Sequence, residues 1–230
     1  MSLGASPLAA TFVVVGLAIL LFAGARSGLL PYGSEEESPA FALPKGRVLL
    51  IGTLCFISFL AEGSVLDWSA VLLNTVHHVD ATRAGFGYVA FSAAMTTGRL
   101  LGDVIVVRLG GFRVLVIGGF LGAMGYALAA LVPSWWGSIL GFALVGAGAS
   151  NIVPVLFSAA GRQTSMPSNL AIAAVTTMGY AGLLTGPAVL GYVARASTLP
   201  IALCIVSGLL MAIVVCAGRV TDTGGTPTPQ

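Results

Sequence analysis

The chain has 230 residues, of which 57% are hydrophobic and 8% are charged, and its formal net charge is +2 at pH 7. Its mean hydropathy is +1.01. These values exclude a water-soluble globular domain and indicate an all-α, polytopic membrane protein. Cys55, Cys204 and Cys216 lie inside apolar runs, which is typical of small hydrophobic residues rather than of a disulfide, metal or redox site.

Seven apolar segments, each long enough to cross a bilayer, are predicted at residues 6–25, 47–75, 84–107, 112–132, 135–160, 167–194 and 198–217. Prolines, glycines and a run of three glutamates between the first two segments predict a polar, flexible connector. The composition of the last residues predicts disorder. The expected parts are therefore a first transmembrane helix (1–25), a linker (26–46), a six-helix bundle (47–218) and a disordered tail (219–230).

Positive charges beside the segments predict the orientation. Under strict alternation, seven lysine and arginine residues fall on one side, and only Arg83 and Arg195 fall on the other. The side with more positive charge is expected in the cytoplasm, so the N-terminus is predicted outside and the C-terminus inside. His77, His78 and Asp80 then lie in an outer loop, where a solvated loop is favoured over a pH-sensing or metal role.

Two carboxylates stand inside the second apolar segment. An ionisable side chain at membrane depth costs roughly 2.5–3.5 kcal/mol to insert, so it usually faces a polar cavity or a partner. Glu62 lies fourteen residues after Val48, about 21 Å along a helix, and is the first candidate for proton coupling; a structural hydrogen-bonded carboxyl is the alternative. Asp67 is a second candidate, nearer the far boundary, where an interfacial, solvated role is favoured. Trp68 beside it is an interfacial aromatic residue and a candidate substrate contact.

The third segment and the loop after it hold a charged cluster. Arg99 and Asp103 are four residues apart, so they share a helix face and are expected to pair near the cytoplasmic boundary. Arg108 and Arg113 flank a turn that contains glycine. We interpret these four residues as a gating hinge, against the simpler reading of a positive anchor and an ordinary turn.

The fifth and sixth segments hold the candidate substrate contacts. Pro154 follows a run of small residues and Asn151, and a broken helix at this depth is a common way to build a binding site in carriers. Asn151 is therefore a candidate substrate contact, with a helix–helix hydrogen bond equally favoured. In the sixth segment Thr177 and Tyr180, with Thr176, are predicted to face a lumen.

The sequence contains no nucleophile–base pair, phosphate-binding loop or metal-ligand spacing. We therefore expect neither an enzyme, nor a cofactor, nor a metal site, and no nucleic-acid partner.

Three motifs together resemble the major facilitator superfamily. The first resembles the superfamily's cytoplasmic loop signature in its form between the eighth and ninth helices: Gly98-(x4)-Asp103-(x4)-Arg108-x-Gly110-x-x-Arg113. The second is similar to the glycine-proline motif of the fifth helix, here in the eleventh: Gly182-(x3)-Gly186-Pro187-(x3)-Gly191. The third resembles the seventh-helix signature of a poorly characterised bacterial permease group: Glu62-Gly63-(x3)-Asp67-Trp68-Ser69.

The resemblance implies helices six to twelve of a twelve-helix carrier, six of which form one half of the bundle, in a bacterial inner membrane. It implies a C-terminal portion whose partner is a missing N-terminal half or a second copy. The predicted function is transport of a small solute, sugar or drug-like, by alternating access coupled to protons. The alternative is a non-transporting membrane scaffold or regulatory partner of another permease.

Overall fold

The computed structural model describes residues 7–25 and 43–221, and these are helical with short connections and no strand. The helices are α1 (Pro7–Ala25), α2 (Gly46–Thr75), α3 (Phe86–Leu100), α4 (Gly102–Leu131), α5 (Trp135–Ala149), α6 (Ile152–Arg162), α7 (Ser168–Ala196) and α8 (Leu199–Thr221). The all-helical prediction is confirmed. The predicted connector, apart from its last four residues, and the predicted tail after Thr221 lie outside the described residues.

The chain divides into two compact units, one containing α1 and the other containing α2 to α8. α1 is an apolar helix of 19 residues. In the second unit, five helical stretches are long and apolar enough to cross a membrane: α2, α4, the combined stretch Trp135–Arg162, α7 and α8. The protein is therefore a polytopic membrane protein.

The helix α4 is interrupted at Gly110, whose φ of 76° and ψ of 154° are not helical. A positive φ favours glycine, which has no Cβ to clash. Before the interruption, Gly87 faces Phe142 and Gly98 faces Ser150. Residue numbers rise together in these contacts, so segment 86–109 runs parallel to α5.

After Gly110 the direction reverses. Gly118 lies against Gly148, and Gly125 lies against Gly141, so here the numbers run in opposite order. Segment 111–131 is therefore antiparallel to α5. Counting segments 86–109 and 111–131 separately, the second unit contains six successive segments of membrane-crossing length, in agreement with the six apolar segments predicted for the bundle.

Glycines allow the closest helix contacts. α2 and α7 run parallel, with Gly182 against the backbone of Phe56 and Gly186 against Leu60. A Cβ at Gly182 would meet the carbonyl of Phe56 at less than any real contact distance. Small residues let backbones approach in this way inside membranes, where no hydrophobic force holds helices together. The packing of α2 on α7 fixes one wall of the site described next.

Candidate functional site

A cavity of about 880 Å³ opens between α2, segment 86–109, α6 and α7. We call it the central cavity. It is lined by Phe59, Arg99, Gly102, Asp103, Val106, Gly111, Asn151, Val153, Pro154, Val155, Phe157, Ser158, Arg162, Thr176 and Tyr180. Its charged lining residues are two arginines and one aspartate, and its walls are otherwise mostly apolar with a few hydroxyl and amide groups. This composition is typical of small-molecule sites, in which a few polar groups fix orientation.

The wall opposite α2 is a broken helix. α5 ends at Ala149 and α6 begins at Ile152, so Ser150 and Asn151 form a joint within one membrane span. The Asn151 amide nitrogen donates hydrogen bonds to the Gly98 carbonyl at 3.0 Å and to the Ser150 hydroxyl oxygen at 3.0 Å. The structure therefore shows the helix–helix hydrogen bond, and because Asn151 also lines the cavity, it stays a candidate substrate contact.

One face of α6 supplies several further lining residues. Pro154, Ser158 and Arg162 lie in the cavity wall and follow Asn151 at intervals close to the helical repeat. Ser158 was not among the predicted site residues, and Arg162 was counted only among the positive charges that flank the segments. The polar spacing of this face was a usable signal, but the predicted segment ended at residue 160 and excluded Arg162.

An ion pair joins α2 to segment 86–109. The Arg99 Nη2 lies 3.4 Å from Glu62 Oε2, with the Arg99 side chain 50% exposed and the Glu62 side chain 12% exposed. The second carboxylate oxygen, Oε1, is buried and has no hydrogen-bond partner among the described residues. Glu62 is thus held beside the central cavity by one long contact, with one oxygen free to accept a proton or another donor.

The spacing predicted that Arg99 pairs with Asp103, but Arg99 contacts Glu62 instead. The physical reason is burial: Asp103 is exposed and has water as an alternative, whereas the nearly buried Glu62 gains more from a positive neighbour. Asp103 still lines the central cavity together with Arg99. Of the four predicted gating residues, Arg99 therefore contacts Glu62, and Asp103 shares the cavity wall with Arg99.

Aromatic residues form the α2–α7 side of the cavity. Phe59 and Tyr180 stack with ring centroids 5.5 Å apart and planes inclined by 22°. Thr176 lines the cavity beside them, whereas Thr177 is exposed, is not among the lining residues, and donates its hydroxyl to the Ala173 carbonyl in its own helix. Of the candidate substrate contacts, Asn151 and Tyr180 therefore reach the cavity and Thr177 does not.

Trp68 and Asp67 also lie outside the cavity lining. The Trp68 indole N–H donates to the Pro187 carbonyl at 3.3 Å, and its ring would contact a Cβ at Gly191. Trp68 therefore packs α2 against α7 rather than contacting a cavity occupant. Asp67 is exposed, so the two carboxylates of α2 have different surroundings, as the sequence predicted.

Arg108 and Arg113 stand on either side of the interruption at Gly110, and both are exposed. Neither is among the residues that line the central cavity. The four predicted gating residues are therefore divided: Arg99 and Asp103 face the cavity, and Arg108 and Arg113 flank the chain reversal.

The loop after α2 is tied to the start of α5. The buried Ser138 hydroxyl donates to the Ala129 carbonyl at 2.9 Å and lies 2.9 Å from Nε2 of His77. Because the single hydroxyl proton is used, His77 donates from Nε2 to Ser138. Burial, and secondly the nearby His78, lower the pKa of His77 below its ordinary value. No group of three metal-ligating side chains occurs in residues 7–25 and 43–221.

Three known proteins are similar to the chain. An uncharacterized MFS-type transporter of Yersinia pestis is 49% identical over 220 residues, which is 95% of this chain and 57% of that protein. Membrane protein MosC of Rhizobium meliloti is 34% identical over 185 residues, covering 80% of this chain and 45% of that protein. The uncharacterized transporter y4wD of Sinorhizobium fredii is 36% identical over 180 residues, covering 78% of this chain and 48% of that protein.

The chain thus spans about half the length of the curated relatives it matches. No protein-family model matches it.

Proposed function

We propose that this chain forms one half of the path of a major facilitator-type transporter, which moves a small solute across a bacterial inner membrane by alternating access. The observation that carries the proposal is the 880 Å³ central cavity, whose lining residue Arg99 forms an ion pair with Glu62. Charged groups at this depth are costly and usually mark a substrate or ion pathway. The names of two of the relatives, which are those of transporters, support transport and favour it over an enzymatic activity.

The proposed mechanism uses the broken helix and the ion pair together. The joint at Asn151 gives the 135–162 span two rigid pieces, and carriers commonly place substrates beside such joints. A substrate in the cavity meets the Asn151 amide, the Tyr180 ring and the free donors of Arg99. Sugars and drug-like molecules both suit this mixture of aromatic and polar groups.

Proton coupling is proposed through Glu62. Protonation of this carboxyl removes the negative partner of Arg99, so the arginine becomes available to another acceptor, such as a substrate or Asp103. The cavity would then differ in charge between the protonated and deprotonated forms. That difference supplies the link between proton binding and conformation that a coupled carrier requires.

We further propose that a second bundle completes the path, either another part of the same transporter or a second copy of this chain. We propose an orientation with the N-terminus outside and the C-terminus in the cytoplasm, from the charge asymmetry of the loops.

Uptake into membrane vesicles tests the function. Vesicles that contain the chain, with and without an imposed proton gradient, are supplied with a panel of labelled sugars and drug-like cations. We expect gradient-driven accumulation of one class, and its loss in Glu62→Gln at unchanged expression. Asp67→Asn is the matched variant, because it neutralises the exposed carboxylate of the same helix.

The results separate the alternatives. Equal loss in both variants would remove the special role of Glu62, and retained coupling in Glu62→Gln would exclude it from the mechanism. Absence of any flux, together with stable co-purification of another permease, would favour the scaffold or regulatory function instead.

A further inference from the structure

A second cavity, of about 600 Å³, lies on the opposite face of segment 86–109 from the central cavity. We call it the side groove. One wall is formed by Thr97, Leu101, Ile105 and Leu109, which follow one another every four residues and so share a helix face. Arg99 and Asp103, which line the central cavity, project from the other face of the same segment.

The remaining surfaces of the side groove are apolar or small. Val114, Gly118 and Leu121 of segment 111–131 form the second wall, and Ala147 and Gly148 of α5 lie at the bottom. The groove is therefore enclosed by two antiparallel segments joined at Gly110 and by the helix that both of them contact.

Polar atoms in the groove already have partners within the protein. The Thr97 hydroxyl donates to the Ala93 carbonyl at 2.8 Å, and the Ser150 hydroxyl donates to the Ala147 carbonyl at 2.8 Å. The Asn151 amide nitrogen donates to the Gly98 carbonyl. These donors place no demand on an occupant, so the surface suits hydrocarbon.

The length of the groove suits an extended acyl chain. Lining residues extend from Ala93 to Leu109, which is about 24 Å along a helix at about 1.5 Å per residue. The length exceeds one leaflet of the hydrocarbon core, about 15 Å, so one extended acyl chain fits.

Positive charge lies at the Gly110 end of the groove. Arg108 follows Leu101 by seven residues, two helical turns, and therefore lies on the groove face of segment 86–109. Arg113 directly precedes Val114, the first groove residue of the second wall. Both arginines are exposed, and the nearest acidic residue in sequence, Asp103, lines the central cavity instead.

We propose that the side groove binds one anionic phospholipid. One acyl chain lies along the groove between segments 86–109 and 111–131, and the phosphate contacts Arg108 and Arg113 at the Gly110 end. Guanidinium groups match phosphate oxygens in geometry and charge. Lipid binding at this groove requires only that the bundle lies in a membrane, and it does not depend on transport.

Native mass spectrometry of the full chain, released from nanodiscs that contain phosphatidylcholine and phosphatidylglycerol with identical acyl chains, tests the proposal. We expect one retained phosphatidylglycerol per chain. Arg108→Gln and Arg113→Gln should each weaken retention about fivefold, from about 1 kcal/mol per arginine at an anionic surface. Arg83→Gln, at the other end of the segment, is the matched control and should retain the lipid.

Filling the groove tests the acyl chain separately. Ala147→Phe at the bottom and Ala93→Phe on the wall should each reduce retention at least tenfold, whereas Ala188→Phe, exposed on α7 outside both cavities, should not. Testing both positions guards against misfolding of one variant. Soluble glycerol phosphate should fail to displace the lipid, because it lacks the chain.

Three results would overturn the proposal: equal retention of both lipids, unchanged retention in both groove-filling variants, or displacement by glycerol phosphate alone. A lipid-free dimer whose formation is blocked by Ala147→Phe would assign the groove to a second copy and would equally contradict it.

Discussion

Two spans on different sides of the central cavity contain a proline, yet only one is broken. α7 remains helical from Ser168 to Ala196 with Pro187 inside it. The span 135–162 is divided at Ser150 and Asn151, shortly before Pro154. Both prolines remove a backbone donor and press against the carbonyl four residues earlier, so the difference must come from what surrounds that carbonyl.

In the broken span the affected carbonyl belongs to Ser150, which lies between the end of α5 and the start of α6. Pro154 then falls in the first turn of α6, a position that needs no backbone donor. The Asn151 side chain stabilises the joint by its hydrogen bond to the Gly98 carbonyl, which belongs to segment 86–109. The proline therefore starts a helix here instead of interrupting one.

In α7 the affected carbonyl is that of Leu183, which lies against Gly63 of α2. Contacts continue on both sides of the proline, at Gly182 and at Gly191, and Trp68 donates to the Pro187 carbonyl. Close packing along α2 holds the helix together across the lost bond. A proline thus marks a joint only where a neighbour stabilises the broken form.

The largest effect is expected from a substitution in α7, the helix that stays continuous across its proline. Gly182→Leu places a side chain against the backbone of Phe56, which cannot move without displacing α2. We expect a loss of stability at or above the upper end of the usual range for overpacking, about 1–3 kcal/mol. Thermal unfolding in detergent measures it. Gly208→Leu, where a Cβ meets nothing within 4 Å, is the control and should unfold near the wild-type temperature; equal losses would contradict the packing argument.

A smaller effect is expected at the joint. Asn151→Leu removes the hydrogen bonds to Gly98 and Ser150 and leaves the part-buried Gly98 carbonyl without this donor, at a cost of about 1–2 kcal/mol. Thermal unfolding again gives the number, and Asn74→Ala, which removes an exposed side-chain bond to Val79, should cost less. If Asn74→Ala costs as much, the joint has no special dependence on Asn151.

The Arg99–Glu62 ion pair joins segment 86–109, which bonds the joint at Asn151, to α2, which packs on α7. We expect this pair to contribute little to stability. Because Arg99 is half exposed, a double-mutant cycle of Glu62→Gln and Arg99→Gln should give a coupling below about 1 kcal/mol. The same variants should change gradient-driven uptake much more than unfolding. A coupling of several kcal/mol with unaffected uptake would make the pair structural.

The smallest effect concerns the loop after α2, in which His77 contacts Ser138 at the start of α5. Because the folded state lowers the pKa of His77, the unfolded loop takes up its proton at a higher pH, and the loop loses stability as pH falls through about 6.5. Above that range the contribution is fully present. Hydrogen exchange of the loop amides between pH 5 and 8 should show this slope, and His77→Gln should flatten it. If the pH slope is unchanged in His77→Gln, another titrating group causes the pH dependence.

The sequence alone determined the membrane class and the six apolar segments of the bundle, because apolar length is a local property. It singled out Glu62 as a candidate, because the cost of a charge at membrane depth is likewise local. It also indicated a site at Asn151 and Tyr180. The structure places the other two candidates, Thr177 and Trp68, outside the cavity lining, because the packing of a helix decides which of its faces meets the cavity, and Trp68 bonds α7 instead.

Only the tertiary structure decided which charges meet. Arg99 has Asp103 four residues away on its own helix face, but it pairs with Glu62, 37 residues away. The nearly buried Glu62 carboxylate is stabilised more by a positive neighbour than the exposed Asp103 is. The fate of the two prolines and the side groove likewise depended on how segments distant in sequence pack. The local sequence determines which charges and backbone groups of a helix require a partner, and the packing of the bundle decides which neighbouring residue provides it.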